Sequence, residues 1–127
     1  MKKGRNSVGA APAAENAVDP LLQPIRQAFA KDAEVTVGRV LSANGLMVKG
    51  KLFAAISKGR LLVKLPMAEV AALIAEKRGA PFATGGGRVM KEWTTIGVEN
   101  RDQWLRIARR ARNFVGSGQS FYAEDAP

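Results

Sequence analysis

The chain has 127 residues, a hydrophobic content of 46% and a formal net charge of +9, which fits one domain with a single two-layer core; no apolar run approaches the ~20 residues of a membrane-spanning helix. It contains no Cys and no His, so zinc and iron–sulfur sites, thiol nucleophiles, disulfides and imidazole acid–base catalysis are excluded by inventory. Residues 19–117 hold 17 Lys and Arg against 8 Asp and Glu, and the two ends cancel, so the domain itself is basic: it either attracts polyanions or stays soluble by self-repulsion.

The first 18 residues are rich in Ala, Gly, Pro and Asn, too poor in large apolar groups to offset the entropy of ordering, and read as a disordered lead-in. Lys2, Lys3 and Arg5 are followed by no apolar block of export-signal strength, which makes the cytoplasm the expected location. In "DPLLQPIRQAFAKDAE", Asp19–Pro20 resembles an N-cap with proline at the first helical position, and Leu21, Leu22, Ile25, Ala28 and Phe29 keep helical spacing. Pro24 removes an amide donor, so either an opening turn precedes a helix that begins at Pro24 or the first turn is distorted.

From Val35 to Leu65 the sequence turns rich in Val, Ile, Leu and Phe, with Asn44–Gly45, Gly50–Lys51 and Lys58–Gly59 as turn or bulge positions. Three antiparallel strands are expected, near 35–49 with a bend at Asn44–Gly45, 51–57 and 60–65. In the last, Leu61, Val63 and Leu65 alternate with Leu62 and Lys64, which suggests one buried and one partly covered face. Pro66 opens a second helix whose Met67, Val70, Ala71 and Ile74 form a core stripe, with Gly79 as its stop.

"ATGGGRVMKEW" follows, residues 83–93. A Walker-type phosphate loop requires G-x-x-x-x-G-K-[ST] between a strand and a helix, because the loop amides and the helix N-terminus must converge on phosphate. Here no Gly precedes Lys91, Glu92 stands at the hydroxyl position, and the following "RVMKEWTTIG" is β-branched and aromatic. The dinucleotide pattern fails as well, with Met90 where its third glycine belongs. The glycines therefore read as a hairpin turn. In an unbulged strand Met90 and Trp93 lie on opposite faces; with Met90, Thr94 and Ile96 inward, Trp93 sits on the other face, either covered or exposed as part of a partner site.

In the last segment, Asn100 with Gln103 resembles a capping box, and Trp104, Ile107, Ala108, Ala111 and Val115 form an apolar stripe ended by Gly116 or Gly118. Arg106, Arg109 and Arg110 fall on the opposite side at about 100° per residue. With Lys91 and Trp93 they are the candidate surface for a protein or nucleic acid; solvation alone is the blander role of such a charged face. "SGQSFYAEDAP" reads as a flexible tail whose Phe121 and Tyr122 can dock back on the domain.

These elements make an α+β, two-layer single domain over residues 19–117, with one antiparallel sheet covered by helices and tails at 1–18 and 118–127. "GLMVKGKLFAAISKGRLLVKLP", "VAALIAEKRGAPF", "GGRVMKEWTTI" and "WLRIARRARNFVG" together resemble the N-terminal domain of the TfoX (Sxy) family, bacterial competence regulators and their stand-alone relatives. The resemblance covers most of residues 35–117 and is carried by Gly45–Leu46, Gly50–Lys51 with Phe53–Ala54, Leu61 with Lys64, and Met90 to Trp93. It implies an α-β-β-β-α-β-β-α fold of the kind shared with secretion chaperones and a regulatory or interaction role, and it carries over no catalytic residues; a stand-alone member using no cofactor or metal is expected. Protein partners or self-association rank first. A basic nucleic-acid-associated protein using the arginine helix is the alternative, and an enzyme using Glu92, Glu99, Asp102 and the lysines comes third, since only burial shifts such groups into acid–base work.

Overall fold

The computed structural model describes residues 19–40 and 43–119. The proposed N-terminal tail, 1–18, and all of the proposed C-terminal tail except Gly118 and Gln119 thus lie outside the described residues. The described chain is α+β: helix α1 (Gln23–Ala28), strands β1 (Val35–Val40), β2 (Ala43–Val48), β3 (Lys51–Ser57) and β4 (Arg60–Lys64), helix α2 (Met67–Ala75), strands β5 (Ala80–Ala83) and β6 (Val89–Ile96), a 3-10 turn over Val98–Gln103, and helix α3 (Trp104–Ser117). The six strands form one open antiparallel sheet in the order β1-β2-β3-β4-β6-β5.

The strand expected over 35–49 is instead a hairpin, so four strands stand between the first two helices rather than three. Asn44–Gly45 does not turn the chain; it lies inside β2, where Gly45 pairs with Gly38 on one side and Ala55 on the other. The true turns are Lys49–Gly50, at φ 53° and 80°, and Lys58–Gly59, at φ 53° and 77°. Two successive left-handed residues make the two-residue hairpin whose twist matches that of its strands. The three glycines before β6 also turn a hairpin: Gly87, at φ 86°, donates its N–H to Thr84 O at 2.8 Å, and Thr84 N–H donates to Arg88 O at 2.9 Å.

Helices cover one face of the sheet. Helix α3 packs over β2, β3 and β4, α2 against β5 and β6, and α1 against α3. The main core joins Leu22, Ile25 and Phe29 to Leu46, Val48, Phe53, Leu61, Val63, Leu65 and Ile96 beneath Trp104, Ile107, Ala108, Ala111, Phe114 and Val115. Full burial of each large apolar side chain is worth ~1.5–3 kcal/mol, and this face holds most of them. The α3 stripe is the one expected from spacing, with Phe114 added. Its start differs: the 3-10 turn, not a side-chain capping box, leads into the helix, and Trp104 Nε1–H instead donates to Gly97 O at 3.2 Å.

Two smaller expectations are corrected. Met67, at 45%, and Ala71 are exposed while Val70 and Leu73 are buried and Ile74 packs partly against the core, because α2 lies over β5 and β6 and turns its Val70–Leu73–Ile74 side to the sheet. The left-handed residue closing α2 is Lys77, at φ 62°, with Arg78 and Gly79 both donating N–H to Leu73 O. Around Pro24, the opening-turn alternative holds: Leu21 N–H donates to Asp19 Oδ1 at 2.9 Å and α1 begins at Gln23.

The opposite face carries a second cluster of Leu52, Ala55, Leu62, Met90 and Trp93, flanked by Met47 and Phe82. Two irregularities build it. In β3 the pairing passes from Leu46↔Ala54 to Met47↔Leu52, so Phe53 is an extra residue and both Phe53 and Ala54 join the main core. In β6 the pairing with β5 passes from Pro81↔Thr94 to Ala83↔Val89, and this break brings Met90 and Trp93 to one face, whereas an unbulged strand separates them.

Candidate binding cleft between the second and third helices

Helices α2 and α3 lie side by side over the sheet, and between them opens a cleft of about 340 Å³. Its apolar wall is Leu65, Ala72, Leu73 and Ile107, and its charged groups are Glu69, Arg78, Arg106 and Arg110. The positions follow from helical spacing: Arg106 and Arg110 are one turn apart on α3, flanking the buried Ile107, while Glu69 projects from the first turn of α2. The size lies near the lower end of the range for small-ligand pockets, ~300–1,000 Å³.

The three cleft arginines are held to different degrees. Arg110 grips Glu69 with its Nε 3.0 Å from both carboxylate oxygens and with Nη2 on Oε2. Arg78 pairs with Glu76 and donates from Nη1 to Gln103 Oε1 at 2.6 Å. Arg106 has a single 3.3 Å bond from Nη2 to the same Gln103 oxygen. Its guanidinium is therefore the cleft cation with the fewest protein contacts to give up to an incoming anion.

The other sequence candidates do not join this site. Arg109 places its Cζ 5.7 Å from the Phe29 ring centroid, and Phe29 meets Phe53 edge-on at 5.4 Å. This arginine caps the main core. Lys91 is exposed on β6, and Trp93, 1% exposed, belongs to the second cluster on the other side of the sheet. Glu99 and Asp102 are exposed on the 3-10 turn, whereas Glu92 is buried. The carboxylates considered for acid–base work thus occupy different environments. Among the described residues, no group of three or more His, Cys, Asp and Glu side chains is placed to hold a metal, and no helix is long and apolar enough to cross a membrane.

Two features escaped the sequence reading. Arg112 donates to Asp32 from Nε at 2.8 Å and to Glu34 from Nη2 at 2.8 Å, tying α3 to the segment before β1. The Arg112 hydrogen bond, assisted by the Glu34 N–H, holds the Asp32 carboxyl below its ordinary pKa, and the two carboxylates reinforce the charge on Arg112. Nothing local signals this contact, since its partners are 80 and 78 residues apart. On the second face, Lys64 Nζ lies 3.8 Å from Glu92 Oε1 and 5.7 Å from the Trp93 ring centroid, with side-chain exposures of 6% and 1% for the two charged residues. Alternation within "RLLVKL" marked Lys64 only as partly covered.

A second, larger hollow of about 670 Å³ lies between α1 and the β1–β2 edge, where Arg26 is the sole charged group among the described lining residues, which include Gln23, Gln27, Thr36 and Val37. The α2–α3 cleft differs by joining an apolar wall to several convergent cations. No known family model, curated protein or solved structure matches this chain.

Proposed function

We propose that this chain is a non-enzymatic protein-interaction or regulatory module, akin to the N-terminal domain of the TfoX family and acting in the cytoplasm, and that its α2–α3 cleft receives an acidic segment of a protein partner. The observation carrying this reading is the set Arg78, Arg106 and Arg110 around the wall of Leu65, Ala72, Leu73 and Ile107. Planar guanidinium groups favour bidentate carboxylates, and Glu69 and Glu76 already occupy two of them from within the chain. A partner offering carboxylates beside apolar side chains would exchange with these internal acids and cover the wall.

A basic nucleic-acid-associated protein is the alternative, favoured by the +9 charge. It fits the arrangement less well: Arg112 is committed to two carboxylates, Arg109 caps Phe29, and Lys51 and Lys58 stand at opposite ends of β3. Dispersed cations of this kind make no continuous track for a phosphate backbone.

Fluorescence anisotropy with a labelled peptide of two leucines flanked by glutamates, run beside random duplex DNA, separates the readings. Peptide binding with modest salt dependence, weakened about tenfold or more by Arg106→Ala, is expected if that charge-assisted contact is worth ~1.5–3 kcal/mol. DNA binding that collapses between about 50 and 200 mM salt, with no peptide binding, would replace this reading by the alternative. Light scattering on the same samples reports self-association.

A further inference from the structure

Among the described residues, every buried side chain of α1, α2 and α3 belongs to the main core, while the second cluster draws on strand residues alone. Yet Leu52, Ala55, Leu62, Met90 and Trp93 expose only 6%, 6%, 3%, 2% and 1% of their surface. Neighbours in a sheet shield the flanks of a side chain and leave its outward end open, so an indole on a bare sheet face keeps one side in water. Burial this deep requires a second layer.

We propose that the C-terminal segment of the same chain, Ser120 to Pro127, is that layer: it crosses the second face of the sheet as a strap, with Phe121 and Tyr122 over Trp93 and Leu62. Three observations single it out. The first is where the described chain ends. Lys49 Nζ donates to Gly116 O at 3.0 Å, so the last turn of α3 stands beside the β2–β3 turn, and Leu52 follows that turn on the second face. Gly118, at φ 74°, then redirects the chain.

Reach is the second. Eight extended residues span ~26–29 Å at ~3.3–3.6 Å each, while β2 to β6 is three strand spacings, roughly 14 Å. Chemistry is the third. "SFYAEDAP" offers two aromatic side chains for the cluster and two carboxylates, Glu124 and Asp125, to a face that bears Arg60 beside the Lys64–Glu92 pair. By contrast, residues 1–18 contain only Met1, Val8 and Val18 as large apolar side chains, and they lead into α1 on the helix-covered face. Residues 41–42 are too few to cover a cluster.

The test uses the two tryptophans of the chain, with Trp104 as the internal control because it lies in the main core. The full chain, a chain ending at Gln119, and the full-length Phe121→Ala/Tyr122→Ala variant are compared by indole N–H resonances and acrylamide quenching. The strap predicts that truncation shifts the Trp93 indole signal and opens Trp93 to acrylamide while the Trp104 signal stays in place. The double variant, which keeps the backbone and the acidic residues, should move the same signal in the same direction. Trp93 remaining protected in both would overturn the proposal, as would exposure of Trp93 by deletion of residues 1–18 but not by loss of 120–127. A full-length dimer that becomes monomeric on truncation would also overturn it, assigning the cover to a second copy.

Discussion

On the helix-covered face of the sheet, Phe53, Leu61, Val63 and Ile96 meet an almost wholly apolar layer whose one indole N–H is satisfied by Gly97 O. On the opposite face, Leu62, Met90 and Trp93 share their space with the ion pair of Lys64 and Glu92. The first arrangement gains stability from each added methylene. The second places two charges out of water, where attraction at 3.8 Å only partly repays desolvation. The two faces therefore teach different things: the first explains why the domain folds, and the second limits which side chains can occupy the far side of β4 and β6 together.

The sharpest way to break this contrast is to empty each face in turn. Phe53→Ala and Trp93→Ala each remove a fully buried aromatic ring and should cost ~3–5 kcal/mol in urea unfolding; a much smaller loss for Trp93→Ala would show the second face to be loosely packed. Next comes the ion pair. Lys64→Met or Glu92→Leu alone removes one half of a buried ion pair and should cost about 3 kcal/mol, while the double substitution should recover most of that loss. Additive losses would mean that the two charges act independently.

A smaller effect is expected where the faces share backbone. A Cβ at Gly45 would stand 2.6 Å from Leu52 Cδ1 and 2.9 Å from Ala54 O, so Gly45→Ala should cost ~1–3 kcal/mol by displacing β3 at its bulge. The smallest is a solvent-accessible counterpart to the buried pair. Asp32 has a lowered pKa, so its stabilising effect is present above the unfolded-state value and is lost as pH falls through the folded-state value. In urea titrations carried below about pH 4, the native chain should lose a contribution that Asp32→Asn lacks at every pH. Parallel profiles would remove Arg112–Asp32 from the acid response.

Much of the first face was legible because its signals are local. The stripe Trp104, Ile107, Ala108, Ala111 and Val115 is a property of one helix, and the glycine turn before β6 needs only its own backbone. The second face was not, since Met90 and Trp93 come together through a register break that depends on how β5 meets β6. Asn44–Gly45 illustrates the same limit: a strong turn signal is overridden because Gly45 must pass under Leu52 and Ala54. In the cleft, Arg106 and Arg110 were visible as an exposed helical pair, but Glu69 and Arg78 became their neighbours only when α2 docked beside α3. Met67 was misjudged for a related reason, as helical periodicity cannot say how far along its length a helix meets the sheet.

The paired Lys–Gly turns have a kinetic consequence. They join β2, β3 and β4 through two-residue connections, so this meander closes with short loops, while β4 must wait for β6 across the whole of α2 and the β5 hairpin. Hairpins form on the microsecond scale and distant pairings pay a larger chain-entropy cost first. In pulse-labelled hydrogen exchange, amides of β3 should accordingly gain protection before those of β6, giving the sheet a direction of assembly from its centre towards the β5 edge.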